Sequence, residues 1–164
     1  SRATARGLLD ATQESLLLLN KEGIIIAINR TAASRYKKTP EELIGKSSFD
    51  MVPENLRESR RSHFNNVLQT GEPMDFEDKR DGMNFHNSFY PVQDKTGEII
   101  GVAIFGQDIT ERKQMEEALK RNVEELKRFS KLAYGREKKM IQLKKEINDL
   151  LNQTGQEKKY TIVK

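Results

Sequence analysis

The sequence predicts an α+β domain, a five-stranded antiparallel sheet with short helices on one face, followed by a long α-helical coiled-coil tail. Three observations carry that reading. Five segments with strand character lie between residues 15 and 107, each bounded by turn residues. Short capped helical segments separate the second of these from the third. Beyond Thr110 the chain has no proline and its apolar residues recur every seven positions.

Ser15 opens the first strand, which holds four consecutive leucines up to Asn20. Asn20-Lys21-Glu22-Gly23 then turns the chain into Ile24-Ile25-Ile26-Ala27-Ile28, so the two runs form a hairpin buried on at least one face. Asn29 stands as N-cap before a short helix over 30–36. Thr39-Pro40-Glu41-Glu42 starts another, with Thr as cap, Pro in the first turn and Glu at the third position; Gly45 limits it. A longer helix runs from Pro53 to about Leu68, with Gly71 as stop. Strands follow at 74–79, at 85–92 after the Asp81-Gly82 turn, and at 99–107 after Asp94-Lys95-Thr96-Gly97.

Alternation along the fourth strand turns Phe85, Asn87 and Phe89 inward and His86, Ser88 and Tyr90 outward. On the last strand Ile100, Val102, Ile104 and Gly106 share the inner face, and Gly106 lets a ligand or helix approach the sheet. A buried amide at Asn87 needs partners, because leaving it unpaired costs about 1–3 kcal/mol; backbone, water or a ligand could supply them. The carboxylate pairs Asp75/Glu77 and Asp78/Asp81 read as solvated surface.

The tail fits one heptad register. Its a positions are Leu119, Leu126, Ala133, Met140 and Ile147, and its d positions Met115, Asn122, Phe129, Arg136, Leu143 and Leu150. Only Asn122 and Arg136 interrupt the apolar stripe, and polar residues there trade stability for register. Glu116/Lys120, Glu117/Arg121 and Glu124/Arg128 add i,i+4 pairs in the favourable order. Gly135 costs about 1 kcal/mol inside a helix, so both a continuous helix and a hairpin bent there remain open. The domain plan is 1–110 for the sheet domain with a helical lead-in over 1–14, 111–153 for the helix, and 154–164 for a C-terminal tail.

Composition narrows the function. The 164 residues suit one domain plus an appendage, and 35% hydrophobic against 33% charged residues fits a chain whose appendage is solvated helix. The absence of cysteine excludes disulfides, thiolate metal sites and a cysteine nucleophile. No apolar run reaches the ~18 residues of a membrane span, and the start, Ser1-Arg2-Ala3-Thr4-Ala5-Arg6-Gly7, has no signal-peptide core. A cytoplasmic setting is expected. Residues 111–164 carry 15 Lys+Arg against 9 Asp+Glu, whereas residues 1–110 carry 14 against 16. The basic excess is interleaved with acids and lacks aromatic interleaving, which argues against nucleic-acid binding.

Several stretches together resemble a PAS domain: Leu9-Asp10-Ala11-Thr12-Gln13-Glu14-Ser15, Asn29-Arg30-Thr31-Ala32-Ala33, Thr39-Pro40-Glu41-Glu42-Leu43-Ile44-Gly45-Lys46, Thr70-Gly71-Glu72-Pro73, and Tyr90-Pro91-Val92 with Gly97. The most specific is the close, Gly101 through Gln107 into Asp108-Ile109-Thr110-Glu111-Arg112, which looks like a PAS strand-to-linker junction. The resemblance implies a sensory or dimerising module of bacterial or archaeal signal transduction, such as a two-component system. Its output or kinase domain would lie in the same or a partner polypeptide. It implies a pocket between sheet and helices, for which Phe64, Phe85, Asn87, Phe89, Ile104 and Gly106 are the candidate wall. Asp108 and Thr110 are the candidate signal junction, with Asp108 as N-cap. Met115, Leu119, Asn122, Leu126, Phe129, Met140, Leu143, Ile147 and Leu150 are the candidate helix of a homodimer.

The cofactor is left unknown. The haem pattern of PAS sensors puts its histidine eleven residues before Gly71, at Arg60 here, and His63 lies one turn away, which weakens haem. A cysteinyl-flavin adduct is excluded by the lack of cysteine. The chain has no phosphate-cradling loop of Walker type and no histidine beyond residue 110, so it is expected not to be an enzyme. The alternative reading is a structural dimerisation module that binds no ligand.

Overall fold

The structure, a computed structural model, describes residues 1–162. Its elements in chain order are α1 (Arg2–Asp10), β1 (Ser15–Asn20), β2 (Ile25–Ile28), α2 (Arg30–Arg35), α3 (Pro40–Leu43), a 3-10 turn (Ser48–Met51), α4 (Glu54–Thr70), β3 (Met74–Arg80), β4 (Met83–Gln93), β5 (Ile99–Asp108) and α5 (Thr110–Gln153). The five strands form one sheet in the order β2-β1-β5-β4-β3, and every neighbouring pair is antiparallel. The chain divides into two compact units, residues 1–113 and 114–164.

In the first unit, α2, α3 and α4 bury their apolar residues against the sheet. Leu19, Ile25, Leu43, Phe49, Phe64, Val67, Phe89 and Val102 make up most of the buried core. Local chemistry sets the helix ends. Thr39 and Glu42 close a reciprocal capping box, with Oγ1 accepting from the Glu42 N–H and the Glu42 carboxylate accepting from the Thr39 N–H at 2.7 Å. Gly71 ends α4 in the left-handed region at φ 70°. Gly23 is needed twice over: φ is +78°, and a Cβ there would lie 2.4 Å from the Phe49 ring.

Asn29 does more than cap α2. It is 2% exposed, and its amide makes four hydrogen bonds. Oδ1 accepts from the Leu16 N–H at 3.0 Å and the Ala32 N–H at 2.9 Å. Nδ2 donates to the carbonyls of Leu9 and Glu14, both at 2.9 Å. One side chain therefore ties the end of α1, the approach to β1 and the start of α2.

One expectation for β5 is corrected. Ile100 is 47% exposed rather than on the inner face with Val102 and Ile104. The register shifts after Val92, which pairs with Gly101 while Gln93 pairs with Ile99. Ile100 is the extra residue of that bulge, so strict alternation holds only from Gly101 onward.

In the second unit α5 passes through Gly135 without a break, which decides between the two arrangements left open by the sequence. The a and d residues Met115, Leu119, Leu126, Phe129, Met140, Leu143, Ile147 and Leu150 are all exposed. Beyond Gln153 the chain turns back. Asn148 Oδ1 accepts from the Lys159 and Tyr160 N–H groups, each at 3.1 Å, and Nδ2 donates to the Tyr160 carbonyl at 2.9 Å. Asn148 is a b position, outside the a/d stripe.

Two outcomes follow from these amides. Asn29→Ala destabilises the first unit by more than the about 1 kcal/mol of an isolated lost cap, because two carbonyls and an N–H of other segments lose their partner as well; urea unfolding measures it. Asn148→Ala frees the Lys159 and Tyr160 amides, which then exchange hydrogen faster while α5 keeps its protection.

Candidate functional site

Between the sheet and α2 lies a small cavity of about 20 Å³, lined by Ser15, Leu17, Arg35, Tyr36, Arg60, Arg80, Phe85, Asn87, Ile104 and Gly106. Four of the six expected wall residues meet there: Phe85, Asn87, Ile104 and Gly106. Phe64 and Phe89 are buried elsewhere. Phe64 packs edge-on to Phe49 at 5.4 Å between ring centroids, and Phe89 edge-on to Phe76 at 5.1 Å.

The wall is more polar than the candidate set Phe64, Phe85, Asn87, Phe89, Ile104 and Gly106 implied. Three arginines line the cavity, Arg35 from α2, Arg60 from α4 and Arg80 from β3. The alternation of β3 places Met74, Phe76, Asp78 and Arg80 in one phase toward the helices. Asp78 was expected at the surface. Instead its side chain is 12% exposed, and its carboxylate takes two bonds from Arg60 of α4, Nε at 2.9 Å and Nη2 at 3.1 Å. Asp78 Oδ1 also accepts from Asn87 Nδ2 at 3.1 Å. The buried amide on β4 thus finds its partner in a side chain of the neighbouring strand, which the sequence reading did not consider.

The other two arginines have neutral partners. Arg80 donates to the Tyr36 hydroxyl at 2.8 Å and sits 4.8 Å from the Tyr36 ring centroid and 4.9 Å from that of Phe85. Arg35, the last residue of α2, donates to the Ser15 hydroxyl and to the Gly106 carbonyl at 3.0 Å, with its guanidinium 4.8 Å from the Phe85 ring. Gly106 makes room for it, since a Cβ there would stand 3.4 Å from the Arg35 guanidinium. Burial holds the Arg35 pKa below the usual arginine range; the Asp108 charge opposes this and the Arg80 charge adds to it. Arg35, Tyr36, Asp78 and Arg80 were missed as site residues. The strand period from Phe76 onward was the available signal for Asp78 and Arg80.

Both histidines lie outside the cavity. His63 stacks against Phe76 at 4.2 Å, and His86 faces Asp75 on the other side of the sheet with its Nε2 3.6 Å from the carboxylate. Arg60 holds the position at which the haem pattern puts histidine, and its guanidinium is committed to Asp78. A space of this size suits about one water molecule, so a haem or flavin does not fit these residues as arranged. Among the described residues no group of three His, Asp or Glu side chains could hold a metal ion.

The junction sits at the end of β5. Asp108 Oδ1 accepts from the Thr110 N–H at 2.9 Å and from the Thr110 hydroxyl at 2.5 Å. The helix begins at Thr110, so Asp108 stands one residue before the cap position that the sequence reading gave it. Ile109 takes the cap position and is buried, with its carbonyl accepting from the Lys113 N–H at 2.9 Å. Two further bonds fasten the junction to β4: the Ile109 N–H to the Asn84 carbonyl, and the Asn84 N–H to the Thr110 hydroxyl, each 2.9 Å. Lys113 adds an ion pair to Glu77 of β3 at 2.6 Å.

Comparison with known proteins now decides the family. A family model described as PAS fold matches residues 9–114. The chain belongs to the PAS fold family. The PAS domain of the histidine kinase ThkA is similar at 26% identity and TM-score 0.51, over 58% of this chain and 99% of that one. A sensory box sensor histidine kinase from Vibrio cholerae gives 18% and 0.54, over 66% and 92%. The VqmA dimer of Vibrio cholerae, a LuxR-type receptor, gives 18% and 0.59, over 68% of this chain and 52% of VqmA, so the match spans about half of that protein. No curated protein matches. Among the described residues no helix of this PAS chain is long and apolar enough to cross a membrane.

The Thr110 hydrogen bonds hold the Asp108 carboxyl below its usual range. A depressed folded-state pKa contributes stability above the ordinary aspartate value of about 3.9, and that contribution is lost as pH falls through the lower folded value. Protection factors of the first turn of α5 should therefore fall in acid in the parent and lose that dependence in Asp108→Asn. At neutral pH, Asp108→Ala should lower them about fivefold, from the about 1 kcal/mol of a lost hydrogen bond to the Thr110 N–H, and leave the sheet protected.

Proposed function

We propose that this chain is the sensory and dimerisation module of a signal-transduction protein. The state of the inner cavity is relayed through Asp108 and Thr110 into the pairing of α5 with α5 of a second copy. The observation that carries this reading is the run of bonds from the sheet into the first turn of α5, which leaves no free linker between β5 and the helix. Membership of the PAS family supports it, as do the similar domains in ThkA and in a sensor histidine kinase.

The a/d stripe supports the dimer. Phe129, at a d position, is 71% exposed within one copy, and the stripe runs from Met115 to Leu150 on one face of the helix. Two such stripes bury each other in a coiled coil. In this reading the module is not itself an enzyme. It acts from the cytoplasm on an output or kinase domain in the same or a partner polypeptide.

A second reading, a structural dimerisation module without a ligand, is favoured by the cavity volume, which suits about one water. The two differ in whether any small molecule changes the junction.

Light scattering on the full chain should give a dimer at micromolar concentration. Leu126→Glu with Phe129→Glu should give a folded monomer, since each Leu or Phe buried in the seam contributes about 1.5–3 kcal/mol. A monomeric parent, or a variant that stays dimeric, would remove the coiled coil from the reading.

A further inference from the structure

The return of the chain beyond α5 is made by specific residues and held at several points. Gly155 takes φ +75°, the left-handed conformation that a helix end favours. The Gln156 N–H donates to the Leu151 carbonyl at 2.8 Å and the Gly155 N–H to the Asn152 carbonyl at 3.1 Å. These paired bonds reverse the chain at once instead of letting it leave along the helix axis. Asn148, which bonds the backbone of Lys159 and Tyr160, is the one buried residue of α5 among the described residues. Lys144 and Lys159 each bring an ammonium group to the Tyr160 ring, at 5.8 and 5.6 Å from its centroid.

The returning tail slants across the helix toward its pairing stripe. It starts over Asn148, a b position, and passes Lys144, an e position. By Thr161 and Ile162 it shares a groove with Met140 and Arg136, an a and a d position. The stripe is less exposed over those turns. Leu119 and Leu126 are 64% and 66% exposed, whereas Leu143 is 44% and Ile147 38%. The heptad is also weakest just before them, where a small residue, Ala133, and a charged one, Arg136, fill consecutive layers. The stripe thus has two apolar blocks, one over 115–129 that is open and one over 140–150 that the tail flanks. In a two-stranded coil the e positions line the seam, so a tail over Lys144 stands where the partner helix must come close.

We propose that the tail over 156–162 is an autoinhibitory strap. Closed on its own helix, it limits pairing with a second copy to the block over 115–129. Its release lets the block over 140–150 join the coil. The proposal rests on the coiled-coil reading above and divides that interface into a constant half and a switched half. The two states exchange one set of contacts for another. Closed, Asn148 keeps its bonds to the tail and Ile162 stands beside Met140. Open, water takes the Asn148 bonds while a partner helix covers Met140, Leu143, Ile147 and Leu150. The exchange leaves α5 itself helical in both states.

The test is thiol cross-linking in the full 164-residue chain, which has no cysteine of its own. Cysteines at d positions face each other across a parallel pair and oxidise to an intermolecular disulfide. Asn122→Cys reports the first block and Leu143→Cys the second. Each is combined with two changes that open the strap. Asn148→Ala removes the clip from the helix side, and Tyr160→Pro removes one of its N–H donors from the tail side without touching α5. The expected result is cross-linking of Asn122→Cys at one rate in every background. Leu143→Cys should cross-link slowly with the parent tail and about fivefold faster or more with either opening, as loss of a net hydrogen bond requires. An unchanged rate at Leu143→Cys, a slower one after opening, or equal acceleration at both sites would each overturn the strap. No cross-linking of Asn122→Cys in any background would reject the coiled coil, and the strap with it. Ready cross-linking there beside an unmoved Leu143→Cys would reject the strap alone.

Discussion

The inside of this domain depends on a part-buried ion pair between Asp78 and Arg60. Among the described residues Asp78 is the only carboxylate that forms an ion pair with any of the three cavity arginines. It binds α4 to β3 through both of its oxygens and β4 to β3 through Asn87. Removing one partner of such a pair costs about 3–5 kcal/mol, because the other is left charged and desolvated. The pair fixes how α4 lies against the far edge of the sheet. Arg35 and Arg80, by contrast, hydrogen-bond neutral groups.

A second set of polar side chains, centred on Asn29, holds the opposite end of the same layer. Its amide gathers α1, the approach to β1 and the start of α2, and α2 ends in Arg35. The position of Arg35 over Gly106 is therefore set by an asparagine six residues earlier. From Gly106 the strand continues to Asp108, whose carboxylate orders the first residue of α5. Cavity and junction are two ends of one short stretch of β5. Neither is a separate device added to the fold.

The same amide chemistry appears in the second unit. Asn148 reads the backbone of Tyr160 through both its donor and its acceptor, and does so from a face of α5 that the heptad leaves polar.

How much could be read without coordinates depended on the range of the interactions. The hairpin turn at Gly23, the caps Asn29 and Thr39, the stop at Gly71 and the heptad of α5 are local, made within a few residues of the chain. Each was legible as a residue type in a pattern. The inward set Phe85, Asn87 and Phe89 followed from strand alternation for the same reason. Alternation failed at Ile100, because a bulge depends on how a strand meets its neighbour. Whether α5 crosses Gly135 also escaped the pattern, since a cost of about 1 kcal/mol does not decide a helix of 44 residues.

The site itself was legible only in part. Its apolar and small residues lie on β4 and β5, where periodicity shows them. Its charges come from α2, α4 and β3, and a surface arginine and a buried one look alike in sequence. The sequence by itself determined the elements, their order and the two faces of the tail, because backbone geometry and side-chain period act locally. Tertiary structure alone decided that Asp78 pairs with Arg60 and that Arg35 and Arg80 share one ring. Those facts rest on contacts across 18 residues and more, and only packing can bring such charges out of water together.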